Sequence, residues 1–287
     1  MSSFQSGGFQ MLPPVVKNLL IINILLFMAT VALQNSMGID LNDILGLHWF
    51  GSEKFRFYQV ITYMFMHGSF EHILFNMFAV WMFGNAIENV WGSKRFLIYY
   101  LITGIGAAAL HYGIMYVDTY QSFNTLMEAV LQNPDSQTLG AFFNEFKIQI
   151  NEGSAMEGYF NQAEPFLQNV IIGSTETEAI EKTYEFMNMY NTYFLNLSTV
   201  VGASGSLFGI LLAFGMMFPN AELFLMFIPI PIKAKYFVAG YGLIELVSGV
   251  MNNPGDNVAH FAHLGGLITG FILIKLWQKF DPTFRLL

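Results

Sequence analysis

Charged residues are scarce in this sequence, and cysteine is absent. Of the 287 residues, 11% are charged and 54% are hydrophobic, whereas roughly a quarter of the residues in an ordinary soluble domain are charged. Without cysteine, disulfides, a thiolate nucleophile and a cysteine-ligated zinc site are all excluded. The net charge of −8 and the lack of a basic face argue against nucleic acid as a partner. This composition is typical of a membrane protein, so the lipid bilayer is an expected partner.

Long apolar runs are what the sequence has instead. Six of them are each close to the ~20 residues that cross ~30 Å of hydrocarbon. They predict an all-α, polytopic membrane protein with six transmembrane helices at about 15–34, 69–88, 95–117, 198–218, 236–250 and 257–277. We expect the fifth helix to extend upstream through the apolar residues 223–232.

A stretch of different composition separates the third and fourth runs. Residues 118–197 contain eleven acidic and two basic residues, a net charge of −9. Apolar residues recur there at spacings of three and four, which predicts amphipathic helices. We therefore predict three parts: 1–117 with helices 1–3 and the first outer loop, an acidic water-facing insert at 118–197, and 198–287 with helices 4–6 and a short cytoplasmic tail. A folded spacer without chemistry is the simplest interpretation of the insert.

The basic residues predict the orientation of the chain. If six helices alternate, one side of the membrane receives most of them, and basic loops face the cytoplasm. These residues are Lys17, Lys94, Arg95, Lys233, Lys235, Lys275, Lys279 and Arg285. We expect a multi-pass protein of the cell inner (cytoplasmic) membrane, with both termini cytoplasmic and the insert outside.

Four polar side chains from three helices are expected at one depth. Ser204 and His263 each lie six residues inside a predicted helix entered from outside, or ~9 Å below its start at 1.5 Å per residue. His72 and Asn76, four apart in the second helix, share one face just below the outer boundary. Polar residues inside a span are costly, so each needs a packing explanation or a functional site.

These residue types suit acyl transfer. A serine hydroxyl is a poor nucleophile until a base takes its proton, and His263 at matching depth is the candidate base. Gly205 and Gly209, like Gly266 and Gly270, are four apart, a small-xxx-small pattern that lets helices approach closely. Acyl transfer also needs donors for the developing oxyanion. The Ser204 backbone N–H, the Asn76 amide and the His72 ring are the candidate set.

Simpler interpretations remain open. A serine in a membrane helix usually bonds to a backbone carbonyl on its own or a neighbouring helix, which we expect of Ser206. His260, one turn before His263, is expected to be a supporting or loop residue. A metalloprotease or metal transporter using His67, His72, His260 and His263 is a further alternative, but HExxH is absent and we expect no acidic residue near these histidines. No metal or other cofactor is therefore expected.

Three motifs together resemble a known family. GASG at 202–205, AHLGGLITG at 262–270 and HGSFEHILFN at 67–76, on the fourth, sixth and second predicted helices, resemble the rhomboid intramembrane serine proteases. The resemblance covers the six-helix core and leaves out the acidic insert. It implies a rhomboid-like bundle that cleaves single-span membrane proteins. A catalytically inactive, rhomboid-like binder is the alternative within the same family.

The resemblance also implies roles for individual residues. It implies a Ser204–His263 dyad without a third acid, and an oxyanion hole of His72, Asn76 and the Ser204 amide. Supporting roles fall on the glycines around the nucleophile and facing it, and on a histidine that orders the outer end of the second helix. These residues are Gly202, Gly205, Gly266, Gly270 and His67. The family admits substrates past the fifth helix and its following loop, here 250–257.

The sequence departs from the family pattern at two places. Many members carry a Trp-Arg pair that anchors the first outer loop, where this sequence has Tyr58 and Gln59. Phe208 stands where an aromatic residue, often tyrosine, packs against the catalytic histidine. Both the nucleophile and the histidine are present, which favours an active enzyme.

Overall fold

The chain is mainly helical, and a computed structural model describes residues 11–225, 228–251 and 258–281. The α-helices are α1 (Pro14–Met37), α2 (Leu41–Leu45), α3 (Gln59–Thr62), α4 (Phe70–Ala79), α5 (Asn85–Trp91), α6 (Ser93–Met115), α7 (Gln121–Gln132), α8 (Ser136–Glu145), α9 (Ala155–Ile171), α10 (Thr177–Leu197), α11 (Ser204–Met217), α12 (Ala234–Met251) and α13 (His260–Phe280). The strands are β1 (Leu47–His48), β2 (Thr199–Val200), β3 (Glu222–Leu225) and β4 (Ile228–Lys233). The predicted helix start at 257 and the basic Arg285 lie outside the described residues.

Within the residues that the structure describes, four helical stretches are long and apolar enough to cross a membrane. They are Pro14–Met37, Phe70–Trp91, Ser93–Gln132 and His260–Phe280. Two further helices occupy the positions of the fourth and fifth predicted spans, α11 with 14 residues and α12 with 18. The structure thus supports a mostly helical membrane protein, while the count of six spans stays a prediction.

The expected upstream extension of the fifth helix is wrong. Residues 223–225 and 228–232 belong instead to the strands β3 and β4, which pair antiparallel with Glu222 opposite Lys233. The sequence IPIPIK explains the difference, because Pro229 and Pro231 each lack the N–H that a helix interior requires. α12 therefore begins only after β4.

The described chain divides into two compact units. The first contains the chain up to Leu47, Arg56–Tyr112 and Val200 onward. The second contains His48–Phe55 and Gly113–Thr199. Helices α7 to α10 of the second unit surround an apolar core of their own, in which Phe123 stacks on Phe194 with ring centroids 3.9 Å apart. The amphipathic spacing of these helices supplies that core.

α11 is the central helix of the first unit. Every residue from Gly205 to Met217 is buried or half-buried. Among the described elements, the packing of α11 against α13 is the most extensive. Neighbouring helices satisfy its polar groups: the Ser206 hydroxyl donates to the Tyr100 carbonyl at 2.8 Å, as expected of that serine, and the Tyr99 hydroxyl donates to the Gly209 carbonyl at 2.8 Å. The helix is thus fixed on several sides.

Glycines allow α11 and α13 to pack backbone against backbone. A Cβ on Gly266 would overlap the carbonyl oxygen of Gly205, and one on Gly270 would lie 3.3 Å from the Cα of Gly209. Backbone atoms cannot rotate away as a side chain can. Larger residues at these positions would therefore force the two helices apart.

A buried glutamate fixes the start of α1. Glu88 is 2% exposed, and its carboxylate accepts hydrogen bonds from the backbone N–H groups of Val15 at 2.9 Å and Val16 at 2.8 Å and from the Ser93 hydroxyl at 2.6 Å. The first N–H groups of a helix have no acceptor within it, and the helix dipole favours negative charge there. Glu88 supplies both needs from a distant part of the chain.

Candidate active site

Ser204 is the first residue of α11. The chain reaches it from β2 through a short loop that includes Gly202, whose φ of +125° is rarely adopted by residues with a side chain. The N–H groups of the first helical turn have no acceptor within the helix. The serine therefore combines a hydroxyl with backbone donors at one helix end.

His263 meets Ser204 from α13. Its Nε2 lies 2.9 Å from the Ser204 Oγ, within hydrogen-bond reach, and the residue is 8% exposed. The imidazole stacks on the Phe208 ring with centroids 4.3 Å apart and planes 10° from parallel. This stack restrains the ring in the orientation that faces the serine.

The expected positions of these residues within their helices are wrong. Ser204 and His263 were each expected six residues inside a helix, but Ser204 is the first residue of α11 and His263 the fourth of α13. The apolar run begins before the fourth helix does, because residues 199–200 are a strand and Gly202 breaks the helical pattern. The two side chains meet because the glycines let α11 and α13 approach.

An acidic residue lies beside the two histidines of α13, contrary to expectation. The Glu245 carboxylate oxygen Oε2 is 2.8 Å from the Nδ1 of His263 and 2.6 Å from the Nδ1 of His260. Glu245 is only 4% exposed. The expectation that no acid would lie near these histidines is therefore wrong, and His260 contacts the carboxylate rather than lying in a loop.

The sequence indicates that Glu245 is unusual, although none of the three motifs includes it. The residue is the one charge in the apolar stretch YGLIELVSGV at 241–250, and an ionisable residue in such a stretch is a candidate functional residue by default. Its partners lie 15 and 18 positions away on another helix, so no spacing rule connects them.

The same three side chains could also hold a metal ion. One ligand atom each from Glu245, His260 and His263 lies within 4.8 Å of the others. Two imidazoles and a carboxylate are a common ligand set for zinc. The alternative metal site in the sequence analysis also included His67 and His72, and these two histidines are not part of this group.

His72 and Ser204 both lie against Gly202. A Cβ on Gly202 would be 2.7 Å from the His72 Nε2 and 3.7 Å from the Ser204 Oγ, so glycine leaves the space between the two side chains open. Asn76, one turn after His72 on α4, is 5% exposed, and its amide Nδ2 has no hydrogen-bond partner among the described residues. A buried donor without a partner is costly unless another group satisfies it.

His67 packs beside His72 at the start of α4. The two rings meet edge to face with centroids 4.9 Å apart. Burial, assisted by the neighbouring His72, lowers the pKa of His67 to about 3. The imidazole is therefore neutral at physiological pH and acts as a packing group.

Gln59 anchors the first loop of this unit. Its buried amide accepts a hydrogen bond from the Arg56 backbone N–H at 3.0 Å and donates one to the Ile44 carbonyl at 3.1 Å. The Tyr58 hydroxyl donates to the same carbonyl at 3.4 Å. The pair that departs from the Trp-Arg pattern thus ties the start of α3 to the last turn of α2.

Comparison with known families covers the helices that carry the candidate site residues. The family model of the Rhomboid domain matches residues 54–125 and 170–279, which is most of the chain. The chain belongs to the rhomboid family. The match skips residues 126–169, in the middle of the acidic stretch. Of the substrate-entry loop expected at 250–257, residues 252–257 lie outside the described residues.

Individual rhomboid relatives share short segments with the chain. The rhomboid protease GluP of Bacillus subtilis (strain 168) is 39% identical over 50 residues, 17% of this chain and 10% of that protein. RHOMBOID-like protein 6, mitochondrial, of Arabidopsis thaliana is 40% identical over 60 residues, 21% of this chain and 19% of that protein. Rhomboid-like protein 15 of the same plant is 34% identical over 70 residues, 24% of this chain and 17% of that protein. The chain thus matches less than a fifth of the length of each.

Proposed function

We propose that this rhomboid is an intramembrane serine endopeptidase that cleaves single-span membrane proteins. The observation that carries the proposal is the 2.9 Å contact between the Ser204 Oγ and the His263 Nε2 at the junction of α11 and α13. A hydroxyl at hydrogen-bond distance from an imidazole is the arrangement of an activated serine nucleophile. An inactive binder would have no need to retain it.

The proposed reaction has two halves. In the first, His263 takes the hydroxyl proton as the Ser204 Oγ attacks the peptide carbonyl carbon, and then returns it to the leaving amine. The product is an acyl-enzyme ester on Ser204. In the second, His263 deprotonates a water that attacks the ester, and the proton returns to Ser204 as the acid product leaves.

Three donors are proposed for the oxyanion that forms at the carbonyl oxygen. The Ser204 N–H lies at the N-terminus of α11, where the helix dipole favours negative charge. The His72 ring faces the space beside Gly202. The Asn76 amide, which has no hydrogen-bond partner in the described part of the chain, is a buried donor in need of an acceptor. Loss of one such donor typically lowers kcat by about 10²–10³-fold.

The length of α11 supports a reaction below the membrane surface. Its 14 residues extend about 21 Å, whereas the hydrocarbon is about 30 Å thick. If its C-terminal end reaches one boundary of the hydrocarbon, Ser204 lies roughly 9 Å inside the other. We propose that the Ser204 end of α11 faces the outside of the cytoplasmic membrane. In this orientation both termini and most basic residues lie inside, and the acidic insert lies outside.

Point variants test the nucleophile and base. The purified protein is reconstituted in liposomes with a single-span reporter substrate, and cleavage is compared for the parent, Ser204→Ala and His263→Ala. A fluorophosphonate probe reports the reactive serine independently. We expect both variants to lose cleavage and labelling. Cleavage by either variant at the parental rate would refute the proposal, and a folded parent that neither cleaves nor labels would identify a binder.

The grouping of Glu245, His260 and His263 favours a metal-dependent hydrolase as the second candidate. Metal bound to the His263 Nδ1 would leave its Nε2 protonated and unable to accept the Ser204 proton. The two mechanisms therefore make opposite predictions for a chelator. We expect cleavage to survive dialysis against EDTA; loss of activity that zinc restores would instead assign the metal mechanism.

A further inference from the structure

We infer that Glu245 is a positioning residue that extends the pair of Ser204 and His263 to a serine–histidine–glutamate relay. His260 forms a second hydrogen bond to the same carboxylate. This inference rests on the proposed protease function. The four residues are connected by hydrogen-bond contacts from the Ser204 Oγ through His263 to the Glu245 Oε2, and from there to His260. They lie on three helices, α11, α12 and α13, of the first unit.

The carboxylate selects the tautomer of His263. An ionised carboxylate can only accept hydrogen bonds, so an imidazole Nδ1 that is 2.8 Å from the Glu245 Oε2 carries the hydrogen. In the neutral ring the Nε2 then holds the lone pair, and this is the atom that faces the Ser204 Oγ. Without Glu245 the ring would be free to carry its hydrogen on Nε2, a form that cannot take the serine proton.

The negative charge also acts later in the reaction. His263 becomes positively charged once it accepts the serine proton, and a carboxylate at 2.8 Å stabilises the imidazolium in a poorly solvated site. Such stabilisation is present only after proton transfer, so it lowers the barrier rather than tightening substrate binding.

His260 holds the carboxylate in place. Glu245 reaches α13 from α12, and without a second contact its side chain could turn away from His263. The His260 Nδ1, 2.6 Å from the same oxygen, fixes that oxygen between the two imidazoles. An oxygen has two lone pairs and can accept both hydrogen bonds at once.

Other titratable groups surround the imidazole and must be considered in any pH measurement. His72 on α4 and His111 on α6 interact electrostatically with His263, and Tyr241 on α12 interacts with Glu245. A substitution at Glu245 leaves all three residues in place, and of them only Tyr241 loses a direct interaction with the carboxylate. The difference between two pH profiles therefore reports the carboxylate together with its partners Tyr241, His260 and His263.

The experiment compares Glu245→Gln with Glu88→Gln. Both exchanges remove the charge of a buried glutamate, but Glu88 serves the start of α1 rather than the proposed relay. Each full-length variant is purified, checked for folding by size-exclusion chromatography, and assayed for kcat, KM and fluorophosphonate labelling from pH 5 to 9. Glu245→Asp, which keeps the charge on a shorter side chain, is measured in parallel.

We expect Glu245→Gln to lower kcat by about 10²-fold with little change in KM, toward the ~10⁴-fold loss that the analogous Asp→Asn exchange causes in a serine–histidine–aspartate triad. The acid limb of its kcat/KM profile should move about one unit or more to lower pH, since a cation has lost its counter-charge. Glu245→Asp should recover part of the rate. Glu88→Gln should keep the parental kcat and the parental acid limb.

The outcomes separate the two hypotheses. If the parent cleaves, Ser204→Ala does not, and Glu245→Gln keeps both the parental kcat and the parental acid limb, the relay is wrong and the protease proposal stands. If Ser204→Ala cleaves as fast as the parent, the protease proposal itself fails. Should Glu245→Gln not fold, a parental kcat and acid limb in both Glu245→Asp and His260→Ala would overturn the relay.

Discussion

Substitution of Gly266 tests whether close helix packing creates the proposed active site. Alanine at this position would put a Cβ 2.9 Å from the carbonyl carbon of Gly205 and closer still to its oxygen, whereas ordinary contacts begin at 3.4 Å. To relieve the carbon contact alone, α13 must retreat by about 0.5 Å, and the oxygen contact requires more. Neither partner is a side chain that could move aside.

The retreat acts directly on the pair of Ser204 and His263. Gly266 is one turn after His263, so both face α11. The present separation of 2.9 Å would exceed the ~3.2 Å limit for proton transfer through a hydrogen bond. A misplacement near 1 Å can lower the rate about 10²-fold, and overpacking of this kind costs about 1–3 kcal/mol of stability.

The assay measures kcat on a single-span reporter in liposomes, fluorophosphonate labelling and thermal unfolding. Gly240→Ala is the matched control, because it lies inside α12 and a Cβ there meets no atom within 4 Å; it should keep the parental kcat and gain up to about 1 kcal/mol of stability. We expect Gly266→Ala to lose most labelling as well as cleavage. If a folded Gly266→Ala protein cleaves and labels like the control, the packing argument is refuted.

Two further predictions concern the surroundings of His72. Gly202→Ala should lower kcat about 10²-fold, because the new Cβ pushes the His72 ring away from the proposed oxyanion site. The control is Gly38→Ala, which is also at positive φ but has no atom within 4 Å of a Cβ, so it should affect stability alone. Equal kcat values for the two variants would contradict the proposed role of Gly202. The lowered pKa of His67 predicts that the protein loses stability in acid. Between pH 6.5 and about 3 the unfolded chain binds a proton at His67 that the folded protein does not bind. The free energy of unfolding should therefore fall by about 1.4 kcal/mol per pH unit as the pH decreases through that window. Thermal unfolding from pH 7 to 4 should show a shallower loss for His67→Gln, and identical slopes would exclude His67 as the cause.

The sequence predicted the parts of the candidate site that depend on local chemistry. Glycine spacing and the scarcity of polar groups in apolar runs singled out Ser204 and His263, and these rules rest on neighbours within a few residues. The lone charge in its apolar stretch marks Glu245 as a candidate as well. Its contact with His263 could not be predicted, because that contact depends on which face of α12 meets α13. A helix that is apolar on most sides does not reveal that face.

The strand pair of β3 and β4 and the true start of α11 could not be predicted for a different reason. Hydropathy measures how apolar a stretch is, and β-strands and loops buried beside helices can be as apolar as the helices. Two prolines and a glycine at positive φ, Pro229, Pro231 and Gly202, marked the true boundaries. Local stereochemistry deserved more weight there than the length of the apolar run.

The anchoring of the first loop through Gln59 has a consequence for the conditions under which the protein keeps its shape. Arginine in this position would hold the loop through an ion pair with an acidic partner. Dissolved ions screen such a pair, and protonation of the acidic partner removes its negative charge. A carboxamide neither titrates nor carries a net charge. The two hydrogen bonds that join Gln59 to Arg56 and Ile44 should therefore persist at high salt concentration and at mildly acidic pH.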